Sequence, residues 1–597
     1  MTATARGATA IVMLSAVLRS LRRPAALVTS LLGAACSAGV PPSGPAAPAT
    51  VSVGSSAPAK PGDASMGQLD LPVTGAPECQ RHVREGMLAL HSFLYDQAHE
   101  SFTAALAADA DCGMAAWGDA MTFDHPIWHE RDLPKARAAL AKVAHEDKLT
   151  AKERAYLATA RALFAKDLGE EAHRDWLAAA SAMQAAYPDD DEVMLQHALA
   201  LLAVYGYQPA HVREQMEAAA LAMTVLQRRP EHPGAAHYVI HALDSREHAI
   251  LALPAARTYA RIAPASGHAQ HMPSHTFTHL GMWRDVVPSN ERAYASSAAW
   301  ETSRGHTASK FDWHSYSWLV AARLELGQVA AARKLIDDAR ALLVALKDDS
   351  GDFRYDYANM VTDYVSQTER WDELESLAAP VFALALGEGN GAEGPVACAQ
   401  HAPGGTAEVR MPSALLARMA IGVLRAEAAI QSGDRSAGEK RVAELKAVRG
   451  QTAAWGKMMP PTFAKRWDAI EEQLLSRARA GKKPAEADQK KVTDSLDQVL
   501  VIEATQQSAG PAWRRTTRET LAEWLLANGK AKDAMALFER ELSARPNRAL
   551  SLLGAARSAK AAGDAKRAKE HYASLADLWR DADATLPALA EVRAGAR

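Results

Sequence analysis

His237 and His241 stand four residues apart, and so do His271 and His275, 34 residues further along the chain. On a helix an i,i+4 pair shares one face, so each pair can aim two imidazole nitrogens at a common point. Neutral imidazole is the commonest side-chain ligand of transition metals, and zinc or copper suits an all-imidazole set. Packed helices lie about 8–10 Å apart, close enough for the two pairs to converge on one ion or to hold two ions side by side. Asp244 and His268 are further candidates for the metal set, Asp244 either as a ligand or as a partner behind one. Neither pair reads His-Glu-x-x-His, so hydrolysis would need Asp244 or a distant carboxylate to activate water. The same residues admit two other roles. Partly protonated imidazoles can hold a carboxylate of an extended peptide, and buried ones can serve the fold alone by bonding across helices.

The elements that must position these side chains are helices. Alanine is abundant, aromatic residues are 6% of the chain and β-branched residues are sparse, a composition that favours helix over strand. The 34-residue interval is that of a helix-turn-helix repeat. Small or aromatic residues recur at positions 8, 20, 24 and 27 of that period: Gly86, Ala98, Phe102 and Ala105 near the start, and Ala522, Ala534 and Phe538 near the end, followed by Ala556, Ala568 and Tyr572. Proline often takes position 32, as at Pro230, Pro264 and Pro546, and Gly281 with Trp283 marks a turn between helices. This is the tetratricopeptide (TPR) pattern. It predicts an all-α solenoid of antiparallel helix pairs, coiled as a superhelix around a concave groove.

Proteins with this repeat line the groove with positions 2, 5, 9, 12 and 13 of the first helix. By that register His237 and His241 fall at 5 and 9, as do His271 and His275 in the next repeat, with His268 and His314 at 2, Asp244 at 12 and His279 at 13. Trp117, Met121 and His125 take 5, 9 and 13 of an earlier repeat, and His91 takes 13 of the first, so these and His314 are expected to line a ligand groove. Met272 is turned away from it and reads as core. The C-terminal repeats carry Glu519, Glu523, Leu553 and Arg557 at positions 5 and 9, so the repeat itself does not demand histidine. Ten of the 21 histidines lie between His232 and His314.

Organisation along the chain follows from composition. Arg19, Arg22 and Arg23 precede an apolar run ending in Ala34-Ala35-Cys36, which reads as an export signal over 1–36 with a lipobox-like end, although Gly33 stands where that pattern prefers leucine. A Pro/Ala/Ser-rich tether over 37–76 follows. Then come an N-terminal repeat block over 77–375, a helical region over 376–480 with a Gly-rich loop at 382–412, and a C-terminal repeat block over 481–597; the Lys/Ala-rich stretch 480–491 is a solvated helix or a hinge. Export permits disulfides. Cys79 and Cys112 fall at the two ends of one expected hairpin, where they either pair or remain thiols, and Cys398 stands alone. The net charge of −3 has no long single-sign runs, so neither nucleic acid nor an anionic membrane surface is expected as a partner, and membrane contact would come only through Cys36. No phosphate-binding loop, nucleophile elbow or cysteine-based zinc pattern is present.

Over roughly residues 80–375 the chain also resembles a group of bacterial TPR proteins without a well-defined activity. The resemblance lies in Gly86–Tyr95 (GMLALHSFLY), Ala115–Trp128 (AAWGDAMTFDHPIW), His232–Asp244 (HPGAAHYVIHALD), His268–Trp283 (HAQHMPSHTFTHLGMW) and Asp312–Trp318 (DWHSYSW). His129 and His279 depart from the group's wording and are set aside as members of a site. The resemblance implies the repeat fold and little chemistry. The expectation is therefore an exported scaffold binding a peptide or protein partner in a histidine-rich groove. The alternative is a zinc- or copper-binding protein, with catalysis undecided.

Overall fold

Helix boundaries follow local capping chemistry. Thr150 with Glu153, and Thr516 with Glu519, form reciprocal capping boxes at the starts of the Ala151–Ala165 and Thr517–Ala527 helices. Asp312 caps Trp313–Glu325 by accepting from the Ser315 N–H. His232 caps Pro233–Ala242 through Nδ1, with proline in the first turn where its missing N–H costs nothing. The computed structural model describes residues 66–597 except 129, 168, 207–208, 347–350, 384–412, 456–460 and 505–513. The export signal, Cys36, the tether up to residue 65, His129, Cys398 and most of the Gly-rich loop lie outside these residues.

Consecutive helices pair as antiparallel hairpins, beginning with Pro77–His91 against Tyr95–Ala108 and ending with Ala549–Ala561 against Ala565–Leu578, before a last short helix, Leu589–Gly595. The small residue at position 8 lets the aromatic ring at position 24 lie against the opposite backbone. A Cβ added at Gly86 would stand 2.7 Å from the Phe102 ring. From the next repeat Gly554, two residues before position 8, approaches Phe538 in the same way, its added Cβ 2.3 Å from the ring. Among the described residues only a two-stranded ribbon departs from helix, Asp124–His125 antiparallel to Glu130–Arg131, where His125-Pro126 interrupts the pattern. No described helix is long and apolar enough to cross a membrane. Cys79 and Cys112 are joined as a disulfide, with a Cα–Cα distance of 6.4 Å.

The described residues all belong to one unit, Lys60–Arg597, in which the chain's end returns to its middle. Trp283 Nε1 donates to Asn547 O at 2.9 Å, Trp579 Nε1 to Glu325 O at 3.1 Å, and the Asp583 N–H to Gly327 O at 3.1 Å. Tyr238, Trp283 and Leu319 share one apolar core with Leu552, Tyr572 and Trp579. The 480–491 stretch comprises the short connection 481–485 and the first turns of Glu486–Glu503, a helix that packs on Pro461–Ala480.

Candidate metal centre

The histidine pairs ride on neighbouring first helices. His237 and His241 lie on Pro233–Ala242, while His268 and His271 lie on Gly267–His271, which continues past a break at Met272 into Pro273–His279 with His275 and His279. Pro273 removes one helical donor at that break, yet His271 and His275 still meet across it. The pairs do not converge on one point; each is completed by a histidine from another repeat. His237, His241 and His268 form one group and His271, His275 and His314 another, with one ligand-capable atom of each residue within 4.8 Å of the others.

In the second group the hydrogen bonds dictate where the protons are. Asn290, on the Trp283–Ser303 helix, donates through Nδ2 to Val286 O at 3.0 Å, and a carbonyl only accepts, so its Oδ1 is what faces His271 Nδ1 at 2.7 Å. His271 therefore carries its proton on Nδ1. His275 Nδ1 donates to Asp244 Oδ2 at 2.8 Å, because the carboxylate can only accept. With both rings neutral, both Nε2 atoms are left with lone pairs, and they face each other at 3.1 Å. Two bare lone pairs at that distance repel unless a cation joins them. A proton on His271 or His314 is a poor candidate: burial, reinforced by His275, lowers the His271 pKa to about 3, and burial together with His271 and His275 holds His314 well below its usual value. The two cations that fit the contact are a metal ion and a proton on His275, whose Nδ1 faces Asp244. Two nitrogens bound tetrahedrally to one ion at about 2.0–2.1 Å stand about 3.3 Å apart, near the observed spacing. His314 Nε2 is buried without a hydrogen-bond partner, and the Trp318 ring walls the group, 4.6 Å from the ring of His275 and 5.0 Å from that of His271.

Both oxygens of Asp244 are taken up by imidazoles, so it is placed to orient rings rather than to act as a ligand. One carboxylate oxygen accepts from His275 and the other from His279 Nε2 at 2.9 Å. Burial would raise this carboxyl, but the charge and hydrogen bonds of His275 and His279 outweigh it and hold the group well below its usual range. A ligating imidazole whose far nitrogen donates to a carboxylate is the common arrangement behind metal sites.

The first group follows similar logic with one difference. His237 Nδ1 donates to the backbone carbonyl of His91 at 2.7 Å, which leaves its Nε2 as a lone pair 3.0 Å from His268 Nε2. Here a neutral His268 can donate its own Nε2 proton, so the pair is satisfied with or without an ion. Burial brings His237 to about 3 and, with its histidine neighbours, keeps His268 well below the usual value.

A third cluster, His91, Glu192 and His232, is a closed hydrogen-bond network. His91 Nε2 and His232 Nε2 each lie 2.8 Å from one oxygen of Glu192, while Tyr238 OH faces His91 Nδ1 and the Ala235 N–H faces His232 Nδ1. Every nitrogen has a partner of matching kind, so the cluster ties the Pro77–His91, Asp191–Tyr205 and Pro233–Ala242 helices together.

Several residues expected in an open groove lie elsewhere. His91, Trp117 and Met121 are buried, because the first helices pack tightly on their neighbours and Trp117 meets the Tyr156 ring edge-on. His125 sits on the ribbon, stacked on Tyr95 and bonded to Glu130. His314, expected in that groove, joins the His271 group, and His279, set aside on wording, holds Asp244. Asn290 and Trp318 carried no sequence signal for this site, since one lies on a second helix and the other on a neighbouring repeat.

No family model matches the chain, and no curated protein matches it. Among solved structures, a human IFIT1 dimer with PPP-AAAA is similar at 12% identity and a TM-score of 0.34, covering 83% of this chain and 89% of that one. A structure of Naa15/Naa10 bound to HypK-THB is similar at 12% identity and a TM-score of 0.22, covering 87% of this chain and 73% of that one. Likeness at this level carries no argument about ligand or chemistry. The helix pairs themselves, in the register of the sequence, make the chain an all-α solenoid of the TPR type.

Proposed function

We propose that this protein is a transition-metal-binding helical-repeat scaffold. One ion is held by His271, His275 and His314 and a second by His237, His241 and His268. The observation that carries this reading is the convergence of three imidazoles, with the Nε2 atoms of His271 and His275 facing each other at 3.1 Å, both Nδ1 atoms engaged elsewhere and His314 within 4.8 Å. Zinc or copper fits the all-imidazole donors. Three protein ligands leave a coordination position for water or an exogenous ligand, the arrangement of catalytic rather than purely structural zinc sites. Export to the cell envelope rests on the N-terminal sequence, and the expectation against nucleic acid rests on charge alone. The peptide-groove reading is disfavoured at these residues, since His237, His241, His271 and His275 are at most 3% exposed; a partner would use other surfaces.

The test is metal loading of the untagged full chain. After chelation and dialysis against zinc, elemental analysis is expected to find two ions per wild-type chain. His271→Ala/His275→Ala and His237→Ala/His241→Ala should each lose one, with circular dichroism reporting retained helix. Wild-type protein that takes up no ion would overturn the reading.

A further inference from the structure

The turn inside the hairpins is built the same way in several repeats. The chain leaves the first helix through a glycine with positive φ: Gly281 at 65°, Gly327 at 68°, Gly529 at 77° and Gly563 at 78°. Each glycine N–H returns to the carbonyl three residues back, and the next N–H to the carbonyl five back, as in Gly563 N to Lys560 O at 3.2 Å and Asp564 N to Ala559 O at 2.9 Å. The first repeat has the same pair of bonds, Phe93 N to Leu90 O and Leu94 N to Ala89 O, both 3.0 Å, but the residue in the glycine's place is Phe93, with φ 53°. At Gly529 and Gly563 nothing lies within 4 Å of where a Cβ would stand, so glycine answers the backbone there, not packing. A bulky side chain in the left-handed region works against this turn. Strain of that kind persists where something else holds it in place.

What holds it is the first histidine group. The Phe93 ring centroid lies 4.4 Å from that of His237, 5.6 Å from that of His241 and 5.7 Å from that of His268. Behind it stand Tyr95 at 5.7 Å and Trp128 at 5.4 Å, the latter brought in by the ribbon and itself 6.2 Å from His268. We infer that Phe93 is a positioning residue for the His237/His241/His268 site, its ring covering the three imidazoles and fixing their directions at the expense of the turn's preferred residue. As an account of metal positioning this rests on the metal-binding reading; as an account of a cover over the imidazoles it stands without it.

Phe93→Gly separates the two roles, because it gives the turn its preferred residue and removes only the ring. Metal-free Phe93→Gly is expected to keep its helix by circular dichroism but to melt below the wild type, because loss of a buried ring outweighs relief of the turn. Its His237, His241 and His268 should gain carbethoxylation by diethylpyrocarbonate, mapped by mass spectrometry, where the wild type is protected. Cobalt(II) bound at this site should show an altered visible spectrum and about tenfold weaker binding, while the His271 group keeps its affinity. Phe93→Tyr should restore protection and spectrum. Unchanged carbethoxylation in Phe93→Gly that keeps its helix overturns the inference. A wild type that takes no cobalt overturns the metal reading instead, and the carbethoxylation comparison still decides the role of Phe93.

Discussion

The imidazoles of this site are defined by what sits behind them. Asn290, Asp244 and the His91 carbonyl each take one Nδ1 proton and thereby choose which nitrogen faces inward. This has a pH consequence in the metal-free protein. His237 and His271 titrate near 3 in the fold and near 6.5 in the unfolded chain. The folded state thus binds fewer protons, so the stability they contribute is present above pH 6.5 and is lost as pH falls toward 3. Urea unfolding of metal-free protein is expected to show about 2 kcal/mol less stability per histidine at pH 5 than at pH 7; His271→Asn and His237→Asn should each flatten that dependence, and an unflattened profile would contradict the assignment. The sequence showed the pairs, since an i,i+4 spacing repeated at 34 residues is a local pattern. It did not show Asn290, Phe93 or Trp318, whose side chains reach the site from other turns and helices.

The same glycine turn meets different neighbours along the stack. A Cβ on Gly563 would meet open space, whereas one on Gly281 would stand 2.1 Å from the Pro546 carbonyl oxygen. Gly563→Ala is therefore expected to cost about 1–2 kcal/mol from the backbone alone. Gly281→Ala should cost clearly more, because Pro546 must also move; equal losses in parallel denaturation curves would count against the close approach. The repeat register made both glycines legible as turn residues, but not their unequal surroundings, which depend on the return of a segment more than 260 residues away. The ribbon at Asp124–Arg131 was legible only as an interruption, because two-residue strands leave no periodicity to read. At Cys79 and Cys112 the hairpin geometry left pairing open, and the structure joins them; on the loop-entropy account such a bridge contributes about 3–4 kcal/mol.

Across the whole molecule, Arg548 is the group on which closure turns. It is 2% exposed and donates to Glu325 at 2.8 Å and to Glu519 at 2.8 and 3.0 Å, linking a middle repeat to the last ones. Burial would raise Glu325 and Glu519, and Arg548 opposes that rise in both. Arg548→Met leaves two carboxylates buried without their cation, and a loss of about 3–5 kcal/mol is expected in urea unfolding. A loss under 1 kcal/mol would mean that the apolar contacts around Trp579 and Leu552 close the molecule without it. Nothing in the register announced this link. Glu519 was legible as a position-5 residue, but Glu325, the other carboxylate held by Arg548, lies 194 positions earlier in the sequence and belongs to another hairpin.

Closure also limits how this architecture can change in length. An open solenoid is one-dimensional, so repeats can be gained or lost with little effect on those already stacked. Here Trp283 must find Asn547, and Gly327 must find Asp583, at the end of everything between them. A hairpin inserted or deleted anywhere from residue 346 to 516 would carry these partners out of reach by the width of one repeat. The number of repeats between Gly327 and Asn547 is thus set by these contacts and not free to vary as in an extendable stack.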